Sequence, residues 1–488
     1  MKRLSLSVNL VKKSIKAHSS LGVAFGALMY LICLTGTLSV FFEEFERWEQ
    51  PAIEEYQEYS VGQINRAIGE FQQRVKTTPE KLWIVLPRES VPRMHISGDD
   101  QEWFINADGS LSEQPLEAWT NMMTSLHEHL HLPHELGTIL VGILGVLLCS
   151  LTLSGLLSHP SLFKDAFRWR LGRQALTQLD LHNRLSVWAA PFYLIIALTG
   201  AFIGLIGVYG ALTSVALYEN DIQAVFEVVY GADPEVIDAS PVVDLNNAFQ
   251  TLKAVAPDVT PLFLTIHDME TDAQYLEVFV SVPERLIYSE IYRFHADGSL
   301  IDHKGFSDGA VGKQVAYSVY RLHFGHFAGF WVKVVYGLLG LALTVVCVSG
   351  INIWLVKRKF ESVLNDVWVA VVWGLPLALA VAALFSFYGM APLTVFGVTQ
   401  IVTLIFSIVI KQPDKARWFL IAALVLSLSA TVLARTVGVL NESVTPVFYG
   451  VNLSIFAVII VLIWMSVHQW KHLKTRSSSP SEGKKLQS

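Results

Sequence analysis

Charge is what this chain has least of. Asp, Glu, Lys and Arg make up 16% of its 488 residues, against 52% hydrophobic, where an ordinary soluble domain carries about 25% charged residues. A chain so poor in charge reads as an integral membrane protein with some soluble mass attached. Cysteine is nearly absent too. Cys33, Cys149 and Cys347 each lie inside an apolar run, so no disulfide framework is implied. No C-x-x-C-H occurs, so covalent c-type haem attachment is excluded. No G-x-G-x-x-G follows a strand pattern, which leaves no nucleotide-binding domain to read. The net charge of −6 gives no reason to expect a nucleic-acid partner.

Long apolar runs are plentiful. A hydrocarbon core of ~30 Å needs about 20 helical residues, and eight segments qualify. They are Leu21–Phe42, Leu136–Ser158, Val187–Ala211, Phe330–Val356, Val367–Phe387, Pro392–Ile410, Trp418–Ala434 and Val447–Val467. The first is too long for a signal peptide and is expected to be retained. With their histidine-bearing approaches, the second and fourth extend over 127–158 and 323–356. Lysine and arginine cluster before the first span (residues 1–20), between the second and third (159–186), after the fourth, between the sixth and seventh, and after the eighth (471–488). The positive-inside rule puts all five clusters on one side of the bilayer. Both termini are then expected in the cytoplasm, and residues 43–126 and 212–322 outside.

The chain repeats itself. His18 and His182 each stand 18 residues before the glycine of a Leu-Thr-Gly triplet, at Gly36 and Gly200. NADGSL (Asn106–Leu111) returns as HADGSL (His295–Leu300), and ILGVLLCSLTLSG (Ile143–Gly155) as LLGLALTVVCVSG (Leu338–Gly350). Residues 18–158 and 182–356 therefore read as two parallel copies of helix, external domain, helix. In each external loop an amphipathic stretch gives way to alternating segments punctuated by Asp-Gly, a hairpin signal. The expected fold is a membrane all-α protein. It has a four-helix core of two parallel repeats, four further C-terminal spans in 357–470, and two external α+β modules.

Histidines mark the span ends. LHEHLHLPHELG holds His127, His129, His131 and His134, and RLHFGH holds His323 and His326. Read as H-E-x-x-H, His127-Glu128-x-x-His131 suits an intramembrane zinc protease, but the second copy keeps the histidines without the glutamate. Read together, His18 and His182 pair at the inner side, with His159 as an alternative there. His127 or His131 pairs with His323 or His326 at the outer side, and in the repeat register His131 superposes on His326. Facing imidazoles in a helix bundle suit both axial positions of a haem iron. The expectation is two b-type haems. His18, His182, His131 and His323 head the ligand set, and His127, His326 and His159 complete it.

The paired His…Leu-Thr-Gly helices, the ADGSL hairpins and the Arg321–Leu341 segment resemble the PepSY-associated transmembrane proteins, often called iron-regulated membrane proteins. The resemblance covers roughly residues 15–360. It implies PepSY modules in the external loops. It also implies a bacterial inner-membrane b-haem protein that reduces ferric siderophores in the periplasm and releases Fe(II). His18, His182 and His323 match the family's histidines on the first, third and fourth helices. His127 matches that of the second with one extra residue before the glycines. The expected electron donor is quinol in the lipid bilayer or a separate cytoplasmic protein. The alternatives are a PepSY-based sensor or regulatory protein and the zinc protease.

Overall fold

The structure is a computed structural model that describes residues 7–116, 118–158, 174–237, 242–358, 362–441 and 443–478. It is mostly helical, with eight helices long and apolar enough to cross a membrane and one antiparallel sheet. The first span, α1 (Val8–Ser39), starts well before its apolar run. Ser7 caps it by accepting from the Leu10 amide, so His18 lies inside the helix. A short helix, α2 (Phe42–Glu49), follows. The second span, α5 (His134–Leu157), is shorter than the expected 127–158. Its approach is a separate helix, α4 (Ala118–Glu128), and between them Leu130 and His131 adopt positive φ ahead of Pro133. The third span, α7 (Ala190–Leu217), is preceded by α6 (Gln174–Trp188), which carries His182. The fourth, α11 (Phe330–Lys357), is preceded by α10 (Val311–Phe324). Left-handed glycines, Gly325 and Gly329, separate that pair. Each copy thus breaks its chain just outside the second membrane helix. His159 and most of the expected basic loop at 159–186 lie outside the described residues.

The two external loops do not form two separate modules. The first loop supplies α3 (Val61–Val75), β1 (Lys81–Val85), β2 (Met94–Gly98) and β3 (Gln101–Ile105). The second supplies α8 (Ile222–Tyr230), α9 (Leu245–Val255), β4 (Thr260–His267), β5 (Tyr275–Ser281), β6 (Glu290–His295) and β7 (Leu300–Lys304). All seven strands join one antiparallel sheet in the order β3-β2-β1-β4-β5-β6-β7. β1 and β4 pair at the centre, with Ile84 opposite Leu264 and Trp83 opposite Thr265. The reason is apolar. Leu82, Ile84, Leu264, Leu276 and Val278 point to one face, where α3 and α9 cover them through Ile64, Phe71, Leu245 and Leu252. Either loop alone would leave a central strand edge unpaired.

The repeat holds at the level of atoms. In both hairpins the aspartate Oδ1 accepts from the serine amide two residues on, Asp108 from Ser110 and Asp297 from Ser299, at 2.8 Å each. Gly109 and Gly298 then take φ of 86° and 82°, which glycine adopts without steric cost.

The remaining spans are α12 (Val363–Ser386), α13 (Pro392–Ile410), α14 (Pro413–Gly438) and α15 (Pro446–Ser478). They dock on the first repeat and on α11 of the second, where Trp368 donates to Asn352 Oδ1 at 2.9 Å. Tyr30 donates to the Val372 carbonyl at 2.7 Å and Trp119 to that of Leu379 at 2.9 Å. Arg435 on α14 sits over the Trp48 ring and donates to the Glu49 carbonyl. At the sheet-bearing end of the core, buried Lys333 on α11 is held by Glu43 at 2.6 Å and Glu44 at 2.9 Å. Breaking such a pair leaves a buried charge uncompensated.

Because the loops share one core, damage in one is expected to be felt in the other. Leu264→Ala should cost about 2–5 kcal/mol and expose cleavage sites in both loops together under limited proteolysis. Cleavage confined to 212–322 would show two independent modules.

Candidate functional site

Four histidines converge in two pairs inside the four-helix core. His18 on α1 and His182 on α6 have ring centres 6.1 Å apart with planes at 72°. His127 on α4 and His323 on α10 have ring centres 6.2 Å apart with planes at 23°. The second pair lies at the sheet-bearing end of the bundle and the first at the opposite end.

Each imidazole is held in the same kind of socket. His18 Nδ1 meets the Leu151 carbonyl at 3.0 Å and Ser154 Oγ at 3.3 Å, with its ring against Gly155. His182 Nδ1 meets the Val346 carbonyl and Ser349 Oγ, both at 3.1 Å, with its ring against Gly350. His127 Nδ1 meets the Ile32 carbonyl at 3.0 Å, against Gly36. His323 Nδ1 meets Thr199 Oγ1 at 2.9 Å, against Gly200. Every socket is a Ser-Gly or Thr-Gly step on a membrane helix. In the first three, a carbonyl four residues before the glycine takes the ring proton. A Cβ on Gly36 would stand 2.5 Å from His127 Cε1, and one on Gly200 3.0 Å from His323 Cε1. Only glycine leaves room for the rings.

The sockets settle the tautomer. A carbonyl only accepts, so Nδ1 carries the proton and Nε2 keeps its lone pair. At His323 the Thr199 hydroxyl gives its own proton to the Ile195 carbonyl at 2.6 Å, so it too accepts from Nδ1. Two neutral imidazoles each with Nε2 about 2 Å from one shared ion have ring centres about 6 Å apart. A ring nitrogen anchored on a carbonyl is the usual outer support of a metal-bound histidine. The ring-centre separation of both pairs matches that spacing. At the His18–His182 pair the rings border a cavity of about 350 Å³, walled by Met29, Tyr193 and Leu343 inside and by Ser19 and Lys357 at its mouth.

The other expected ligands point elsewhere. His131 does not face His323. The positive φ at Leu130 and His131 turns its ring back, and Nε2 bonds the Met122 carbonyl at 2.8 Å. His129 packs beside it and beside His134. His326 lies past left-handed Gly325 between Phe42 and Phe324, and its buried Nε2 makes no hydrogen bond among the described residues. The H-E-x-x-H reading loses its geometry, because α4 ends at Glu128 and the two histidines share no helical face. Among the described residues no cluster of three or more His, Cys, Asp or Glu side chains could hold a metal ion. The socket residues Ser154, Ser349 and Thr199 went unassigned in the sequence. Their signal was there, as the fourfold Ser/Thr-Gly step within the repeats.

The family of the PepSY-associated TM region matches residues 15–357, which takes in both histidine pairs, all four sockets and the shared sheet. The chain belongs to the PepSY-associated transmembrane family. It is also similar to an uncharacterized protein of Pseudomonas aeruginosa, 26% identical over 252 residues. That match covers 49% of this chain and 64% of the relative, so it spans less than two thirds of the relative's length. Helices α12–α15 lie outside the family match.

Cys33 follows the Ile32 carbonyl that serves His127, and Cys347 follows the Val346 carbonyl that serves His182. Their sulfurs are 3.8 Å apart, so one thiol contact separates a socket of one pair from a socket of the other. Treatment with diamide should join Cys33 to Cys347, detected as a cross-linked peptide by mass spectrometry and lost in Cys347→Ser. Cross-linking of Cys149 instead would contradict the packing of α1 on α11.

Proposed function

We propose that this PepSY-associated transmembrane protein is a membrane electron carrier that binds two b-type haems and reduces a ferric chelate on the sheet-bearing side. The observation that carries this reading is the pair of facing imidazole couples, 6.1 and 6.2 Å between ring centres, each ring fixed through Nδ1. Bound haem would supply a reversible one-electron iron couple.

The chain's own contribution is positional. His18 and His182 would hold one group, and His127 and His323 the other. The carbonyl and hydroxyl sockets fix the tautomer and aim the rings. The glycines admit a flat macrocycle between helices that otherwise pack closely. With one centre toward each membrane face, the ~30 Å apolar barrier is divided into shorter hops. Reduction works as release because hard oxygen donors hold Fe(III) far better than Fe(II). Each ferric ion takes one electron, and the donor is quinol or a separate protein on the opposite side. The distribution of lysine and arginine favours a bacterial inner membrane with both termini in the cytoplasm and the sheet in the periplasm.

Purified protein is expected to be red, with two haems per chain by pyridine haemochromogen assay. His182→Ala and His323→Ala should each retain about one of the two, since each removes a residue that would hold one of them, while His131→Ala and His326→Ala should keep both. A colourless protein made with ample haem supply, or full haem content in His182→Ala and His323→Ala, refutes the reading.

A further inference from the structure

The sheet has two faces, and only one is covered by α3 and α9. The other carries Trp83 on β1, Phe263 on β4 and Phe279 on β5. Phe263 and Phe279 stack with ring centres 4.1 Å apart, and Trp83 lies tilted 5.9 Å and 6.4 Å from them. Trp83 remains 39% exposed, and both phenylalanines are half-buried. Three aromatic rings thus form an accessible platform on a folded sheet that has no need of them for its core.

This face is turned toward the end of the bundle that holds His127 and His323. At one edge Arg321 on α10 bridges the two layers. It donates to Ser281 Oγ on β5 at 2.8 Å and to the Arg285 carbonyl at 2.9 Å. Ser281 stands two residues past Phe279 on the same face, and Arg321 stands two residues before His323. At the other edge Arg93 lies over the Phe104 ring and donates to the Gln50 carbonyl just beyond α2. The platform is therefore slung across the bundle end between those two anchors.

Arg321 puts a positive charge at the edge of the platform. Among the described residues its hydrogen bonds go only to neutral oxygens, and it is half-buried. A half-buried guanidinium without a carboxylate carries a charge that an anionic ligand would complete. Aromatic rings beside it favour a flat, apolar-faced ligand.

Resting on the electron-transfer reading above, we infer that the platform of Trp83, Phe263 and Phe279, edged by Arg321, is the docking face for a negatively charged aromatic metal chelate of the catecholate class. The rings stack on the ligand's aryl groups, and the guanidinium meets its charged oxygens. The chelated metal is then held over the helix that carries His323. An aliphatic, uncharged hydroxamate chelate offers neither feature.

Gallium(III) complexes test this without any electron being taken up, because gallium(III) is not reduced. The full chain in detergent is titrated by calorimetry with gallium(III) tris-catecholate and, separately, with neutral gallium(III) tris-acetohydroxamate. The catecholate complex should bind saturably and more weakly as salt rises, and the hydroxamate complex should bind at least tenfold less tightly. Trp83→Ala and Arg321→Gln should each weaken catecholate binding about tenfold, the size of one lost stacking or charged contact, while Trp83→Phe keeps most of it. Thermal melting checks that each variant is folded, and Phe279→Ala replaces any that is not. No saturable catecholate binding, equal binding of the two complexes, or unchanged binding in both variants overturns the inference. A chain that binds gallium catecholate but reduces no ferric chelate refutes the electron-transfer reading and leaves the docking face standing.

Discussion

A single hydrogen bond, made four times over, organises the core of this protein: an imidazole Nδ1–H donated to an oxygen on a neighbouring membrane helix. A histidine inside a bilayer is costly unless its donor is satisfied, and a bare ring nitrogen is useless as a ligand unless it is aimed. The socket does both. It uses a carbonyl already engaged in the helix ladder or a hydroxyl one residue before a glycine, both at His18 and His182, and the space the glycine leaves. The ring is pinned at one nitrogen and presents the other. The spacing of each facing couple follows from where the sockets hold the rings.

Around that core the extramembrane parts serve placement. The shared sheet brings the two loops together through β1 and β4. Lys333, clasped by Glu43 and Glu44, fixes the start of α11 against α2. Arg435 and Trp119 fasten the four C-terminal spans to the first repeat. Those spans contribute no histidine to either couple, and their contacts lie with α1, α2, α4 and α11.

Much of this was legible in the residues because it is local. Apolar run length gives the eight spans, and Asp-Gly gives the two matching turns. The Leu-Thr-Gly and Ser-Gly steps announce the repeat. What escaped is what depends on distant partners or on one residue's backbone. Pairing of β1 with β4 joins segments almost two hundred residues apart, and no pattern within either loop signals it. The choice between His127 and His131 turns on the link before α5. Counting back 24 residues from each Ser-Gly superposes His131 on His326, yet the extra residue in the first copy is absorbed where Leu130 and His131 take positive φ. The residues that meet across the axis are His127 and His323.

The α1 helix holds His18 near one end and the Gly36 socket near the other, and the α6–α7 segment holds His182 and Gly200 in the same order. An axial slide of either rod would drag a ligand out of one couple and a cradle out from under the other at the same stroke. The two centres thus share one mechanical coordinate. Any signal that shifts α1 lengthwise, from the C-terminal spans clamped on it or from a load on the sheet, would detune both ends at once.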